Sequence, residues 1–315
     1  MTVLEKFISA LPNGATVRVF FEDTMFNDFF TLAKTVCASI SSLDLTGRDI
    51  SIFTAMIPES FYRQLVPRAS IDLGMSWSSL NYLESVPDVT IDATAPPATF
   101  MVARREVFAA AGSKDIIKFL RLRATEIRQG GYFIAAIGGQ KPASASTPTN
   151  TGFMPVQSAL LKMVKMGALS RADLTQLSLF PTYERTLEEV QEALDNCEVA
   201  PLWQVDKIES KLIEHPAWGI YQAALQAANG NESQEKAALR GYANAVVSSL
   251  VSAAGWWWVD VLRKSIGGGW TGGEAFLETL VSLAVEECMK GFSDMKVEIW
   301  YHYVKLKRTS VATAL

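Results

Sequence analysis

The sequence predicts an open, doubly wound α/β sheet carrying a helical cap. Three observations lead there. Asp115–Gln140 reads as a helix, a glycine pair and then Tyr132–Ile137, an unbroken apolar run of the kind found in strands buried on both faces. Upstream of it, helix and strand patterns alternate from Thr2 to Leu83. Downstream of Lys141–Thr151, helical patterns follow one another without strands until strand pattern returns in Met295–Lys307. The expected limits are 1–140 plus 290–315 for the sheet domain and 141–289 for the mostly helical cap.

Each element has its own signal. Thr2–Leu11 places Val3, Leu4, Phe7, Ile8 and Leu11 on one helical face, and Pro12-Asn13-Gly14 ends it. Val17–Phe21 is a strand with Glu22-Asp23 at its carboxyl end, and Asp28–Ile40 a helix. Ile50–Met56 is a strand closed by Pro58, Ala69–Met75 another, and Ser78–Leu83 a short helix. In the central unit, Ile116, Ile117, Phe119, Leu120 and Leu122 recur at helical spacing, and Gly130-Gly131 is read as the left-handed stop. Lys141–Thr151 is a small-polar linker out of the sheet. Pro155–Leu169, Thr186–Leu194 and Ala237–Leu250 are cap helices, the second opened by a capping box of Thr186 with Glu189. Gly267–Gly273 is a connection, Leu277–Met289 a helix, and Met295–Lys307 a strand returning to the sheet edge.

Composition excludes several classes. The chain has 315 residues, 49% hydrophobic and 20% charged, which suits a globular fold large enough for a core and a cap. A net charge of −4 offers nothing to nucleic acid or an anionic membrane. No apolar stretch approaches the roughly 18 residues of a membrane span, so a cytoplasmic protein is expected. Cys37, Cys197 and Cys288 are scattered and read as reduced thiols. His215 and His302 lack neighbours at metal spacing and read as structural, with no metal expected. GGGWTGG lacks the Lys-Ser/Thr of a phosphate loop and reads as a hinge. Asp23, ending the first strand, can accept both hydroxyls of a ribose or cap the next segment. Trp256, Trp257 and Trp258 point three ways on a helix, so at least one belongs to the core.

Five stretches in order resemble one family. FFEDTMFNDF (Phe20–Phe29), SFYRQLVP (Ser60–Pro67), SIDLGMSWSSLNYLESVP (Ser70–Pro87), Phe119–Gly139 and FPTYERTLEEV (Phe180–Val190) are similar to motifs of the salicylate, benzoate and theobromine (SABATH) methyltransferases. The resemblance implies a Rossmann-like methyltransferase sheet. It implies Asp23 at the ribose of S-adenosylmethionine, and Ser60 and Phe61 at its adenine. It places Tyr82 where the family has a carboxylate-holding Trp, and Asn81 and Ser78 where it has a Met and a Tyr of the same wall. Phe153 and Val251 fall near further wall positions. The departures are the family's first strand with its glycine-rich loop, and a lid segment bearing a Gln, both lacking ahead of Thr2. Without that central strand, Val17–Phe21 and Ala69–Met75 are expected to pair directly, or another segment to fill the slot, unless the sequence is a truncated form of a longer protein.

Those departures set the expected function. The first reading is an enzyme of specialised metabolism with no cofactor, which binds a hydrophobic small molecule and promotes its cyclisation or isomerisation. Tyr82 and Asn81 would polarise a carbonyl, and Met75, Trp77, Ser78, Phe153, Val251 and Trp257 would line the pocket. The alternative is an S-adenosylmethionine-dependent carboxyl O-methyltransferase that uses Asp23, Ser60 and Phe61, its N-terminal part missing or supplied by a partner. The second alternative is a non-catalytic partner of a true methyltransferase. A homodimer is expected from the family.

Overall fold

The computed structural model describes residues 3–43, 46–142, 153–267, 269–291 and 297–310. The chain forms two compact units, Met1–Ser70 and Ile71–Leu315.

The first unit holds α1 (Val3–Ser9), β1 (Ala15–Asp23), α2 (Phe29–Ser41) and β2 (Ile50–Pro58). The two strands pair parallel in register, from Ala15 opposite Ile50 to Asp23 opposite Pro58. The Asp28 side chain caps α2 by accepting from the N–H groups of Phe30 and Thr31. Gly14, at φ 80°, makes the left-handed turn into β1.

The second unit holds β3 (Ile71–Trp77), α3 (Pro97–Glu126), β4 (Ile127–Gly139), α4 (Phe153–Lys165), α5 (Arg171–Ser178), α6 (Leu187–Asp195), β5 (Trp203–Glu214), α7 (Ala217–Ala228), α8 (Glu232–Ile266), α9 (Gly273–Gly291) and β6 (Glu298–Arg308). Its sheet runs β3-β4-β6-β5, with β3 and β4 parallel and β6 antiparallel to both its neighbours. Phe133, Ala135 and Ile137 of β4 are buried. Phe133 meets Phe119 of α3 at 5.5 Å and Trp203 of β5 at 6.2 Å. Helices α4, α5, α8 and α9 build the main core, with Trp258, Leu174, Leu177 and Leu280 inaccessible.

Several expectations are corrected. β1 and β3 do not pair: they lie in separate sheets, and each is a sheet edge among the described residues. Helix α3 begins 18 residues ahead of Asp115, where Pro97 sits in its first turn (115 − 97 = 18). The helix stops at Glu126, so Gly130-Gly131 is not its cap. The pair instead forms an irregularity where β3 meets β4: Gly130 has φ 76°, and a Cβ on Gly131 would lie 2.8 Å from the Asp72 carbonyl. Ser78–Leu83 is turn, not helix. Strand β5 lies inside the stretch read as helices without strands. Only Trp203 of this edge strand is buried and most of the rest is exposed, so it shows no apolar run. Helices α5 and α7 were not anticipated, and most of the Lys141–Thr151 linker lies outside the described residues.

Against the expectation of no span, α8 is long and apolar enough to cross a membrane by length and composition alone. It packs along α7 and α9, however, and buries Tyr242, Val246, Val247, Ala254 and Trp258, as the core helix of a cap does.

Candidate functional site

In the first unit the site residues gather where β1 and β2 end together. Asp23 is exposed, and its Oδ1 accepts the Thr24 N–H at 2.7 Å. The Glu59 N–H donates to the Asp23 carbonyl at 3.1 Å, which fixes the segment after β2 beside the acid. The Ser60 N–H donates to Glu59 Oε1 at 2.9 Å, and Ser60 Oγ accepts from the Tyr62 N–H at 3.3 Å. Phe61 is half-buried with its ring 4.6 Å from that of Tyr62, which is buried beneath. An exposed carboxylate, a hydroxyl and a ring held within one loop of each other suit a ribose diol and a purine. The nucleoside of S-adenosylmethionine therefore fits these residues.

In the second unit the candidates divide into two groups. The first surrounds the carboxyl end of β3. Ser78 follows Trp77 with φ 58°, a left-handed conformation that costs a serine about 1–2 kcal/mol. Its N–H donates to the Ala136 carbonyl at 2.9 Å. Its Oγ lies 2.5 Å from the Tyr301 hydroxyl of β6. Trp77 is 60% exposed and Met75 55%, and the Trp77 ring meets Tyr303 edge-on at 5.9 Å. The Asn81 side chain lies over Gly138, 3.7 Å from where a Cβ would stand. Gly138 is directly opposite Tyr301. Asn81 Oδ1 is buried and has no donor among the described residues.

The second group is a ring cluster on Phe180. Tyr82 meets it edge-on at 5.7 Å, Phe153 stacks at 6.4 Å, and Trp257 and Trp258 lie 6.4 and 6.2 Å away. The Tyr82 hydroxyl donates to the Ala253 carbonyl of α8 at 3.3 Å. Val251 is half-buried, near Gly255. Trp77 does not share this cluster, so the candidates read as one pocket wall are two. Tyr301, Tyr303 and Phe180 were missed, although the alternating aromatics Tyr301 and Tyr303 signalled one populated strand face.

Buried polar groups hold the turn that presents Asn81 and Tyr82. Arg185 donates to the carbonyls of Leu80 and Gly112, and the Tyr183 N–H to the Asn81 carbonyl at 2.7 Å. Arg104 donates to the carbonyls of Phe180 and Thr182, and burial lowers its pKa to about 10. Burial also pushes the Glu184 carboxyl above its usual range, against the pull of Arg104 and Arg105. His302 is fully buried, bonded to Ser210 and to the Arg185 carbonyl, as a structural histidine should be. No metal-holding group of His, Cys, Asp and Glu occurs among the described residues. A groove of about 810 Å³ between α8 and α9, floored by Val259, Leu277 and Val281, contains none of these candidates.

Two open sheets covered by helices, with an exposed acid at the carboxyl end of β1, make this a mixed α/β protein. The solved structure of loganic acid methyltransferase with SAH superposes with a TM-score of 0.63 at 18% identity, over 97% of this chain and 77% of that one. The chain belongs to the SAM-dependent carboxyl methyltransferase family, whose model matches residues 2–254. It is 30% identical to an O-methyltransferase (acrG) of Aspergillus aculeatus over 91% of this chain and 75% of that protein. It is 31% identical to the methyltransferase LUC1 of a Fusarium species, over 96% and 79%. It also matches gibberellic acid methyltransferase 1 of Arabidopsis thaliana, at 26% identity over 67% and 59%. These findings overturn the expectation of a protein without cofactor: the family uses S-adenosylmethionine, and the relatives carry methyltransferase names.

Proposed function

We propose that the chain is an S-adenosylmethionine-dependent carboxyl O-methyltransferase of specialised metabolism. The observation that carries this reading is the loop pairing of Asp23 with Glu59, Ser60 and Phe61 in a member of that family. Asp23 would accept the ribose hydroxyls, and Ser60 and Phe61 would hold the adenine. The bound donor supplies an electrophilic methyl group on its sulfonium.

A carboxylate oxygen is already deprotonated at neutral pH, so methyl transfer asks the protein for orientation rather than proton removal. Orientation of this kind is worth roughly 7–11 kcal/mol. Asn81, Tyr82 and Ser78 offer neutral hydrogen-bonding groups, and Trp77, Phe153 and Trp257 offer ring surface that excludes water. This assignment suits a lipophilic carboxylic acid.

Calorimetry with S-adenosylhomocysteine tests the reading. Micromolar binding by the chain, lost in D23A, is the expected result. No binding to a folded chain would remove donor dependence, and with it the proposal.

A further inference from the structure

Strand β1 has one open side. Its sheet holds only β1 and β2 among the described residues, so its outer edge meets no other strand there. The Glu59 N–H donates to the Asp23 carbonyl, and Asp23 is paired with Pro58, so Asp23 turns its main-chain groups towards β2. The register runs without a shift, so alternate residues do the same, and Thr16, Arg18, Phe20 and Glu22 turn their N–H and C=O groups to the outer edge. An edge of this kind is a template for another strand. Proteins blunt such edges with proline, lysine or a bulge, and ATVRVFFED has none of these. Phe20 is 43% exposed, and Phe53, across from Arg18 on β2, is 61% exposed on the same face. A ribbon of two strands is marginal alone, whereas a sheet of three or more persists.

The order of charges selects the strand that fits. Arg18, Phe20 and Glu22 lie on one face, with the ring midway between opposite charges. A second β1 running antiparallel, related by a two-fold axis at Phe20, sets Arg18 opposite the partner's Glu22 and Phe20 opposite the partner's Phe20. These residues all turn main-chain groups outward, so each pairing exchanges two N–H···O=C bonds. Opposite charges across a strand pair stabilise it, and like charges destabilise it. An axis at Arg18 or Glu22 would set that charge against its own copy, and an axis at Val19 or Phe21 would set a charge against Phe20. We infer that the outer edge of β1 binds a second copy of this chain, making one continuous sheet in the order β2-β1-β1-β2. Asp23 lies on the opposite face of β1, so this edge stands or falls apart from the donor site.

Analytical sedimentation of the full chain tests it. The wild-type chain should form a dimer. Arg18→Glu sets like charges opposite each other on both sides of the axis, and it should raise the dimer Kd roughly tenfold to a hundredfold. Adding Glu22→Arg to that variant reverses both partners and should bring the Kd back towards wild type. Phe20→Pro removes the N–H at the axis without removing a bond to β2, and it should abolish the dimer. Circular dichroism checks that each variant folds, and the charge exchange serves where Phe20→Pro does not. A wild-type chain that stays monomeric at every concentration leaves the edge to another occupant. A dimer indifferent to both the single and the double exchange is built on another surface. Either result overturns the inference.

Discussion

The backbone N–H of Glu59 donates to the carbonyl of Asp23 at 3.1 Å, so the acid closing β1 and the loop following β2 are tied together. A side chain placed by its backbone in this way can be changed without disturbing its neighbours. Asp23 is exposed, and its carboxylate accepts the N–H of the next residue, Thr24. Asp23→Asn should therefore leave the circular dichroism spectrum intact. It should weaken S-adenosylhomocysteine by roughly 1.5–3 kcal/mol, about 10- to 150-fold in Kd. Calorimetry on the two proteins checks this.

Gly139 and His302 are packed so closely that a Cβ on the glycine would fall on the imidazole. His302 is itself held by Ser210 at 2.7 Å and by the Arg185 carbonyl at 2.8 Å, so it has nowhere to go. Gly139→Ala should cost about 1–3 kcal/mol or more by overpacking, read as a lowered urea midpoint. Gly219, with no atom near its absent Cβ, is the control whose alanine variant should unfold close to wild type.

The same histidine sets an acid limit. Burial lowers the pKa of His302 below the ordinary imidazole value, against the smaller opposing pull of the Arg185 carbonyl, Glu188 and Glu189. His215, bonded to Ser249, is lowered by burial as well. The unfolded chain then binds more protons than the folded one once pH falls below about 6.5. Stability is therefore full above that pH and declines as pH drops further. Melting temperatures recorded from pH 7.5 to 5 should fall, and His302→Gln should show a shallower fall from a lower starting value.

The tryptophan triplet should separate core from wall. Trp258 is inaccessible and its Nε1 donates to the Leu177 carbonyl at 3.2 Å. Trp258→Ala should cost roughly 3–5 kcal/mol. Trp257 is only partly buried, packed on Phe180, so Trp257→Ala should cost less while impairing substrate affinity more. Denaturant curves and Michaelis constants measured on both variants check the contrast.

How much of this was legible in the sequence varies with the physics of each element. The strand at Tyr132–Ile137 was, because an unbroken apolar run marks it, although Tyr132 and Ile134 on its second face are only half-buried. The capping box of Thr186 and Glu189 was, because its two hydrogen bonds are local. Helix α3 was legible only from Asp115, since its first half carries alanines and arginines whose partners, Phe180, Thr182 and Glu184, lie some eighty residues on. Strand β5 hid behind its polar edge, and the turn at Ser78 was read as helix because nothing in the local pattern requires a positive φ there. At the site, Asp23, Ser60 and Phe61 came from motif order, and their shared loop came from the structure. Tyr301 was legible as a strand residue, but its meeting with Ser78, 223 positions away, was not.

The pairing of β1 with β2 has one more implication. Parallel ribbons of two strands have little intrinsic persistence, and in the first seventy residues only Ile8, Val17, Val36 and Tyr62 are buried apolar side chains among those described. The proposed nucleoside site is thus mounted on a part of the molecule with few buried apolar side chains. Occupancy should register there as slowed amide exchange along Ala15–Asp23, well before any change in the sheet that contains β4.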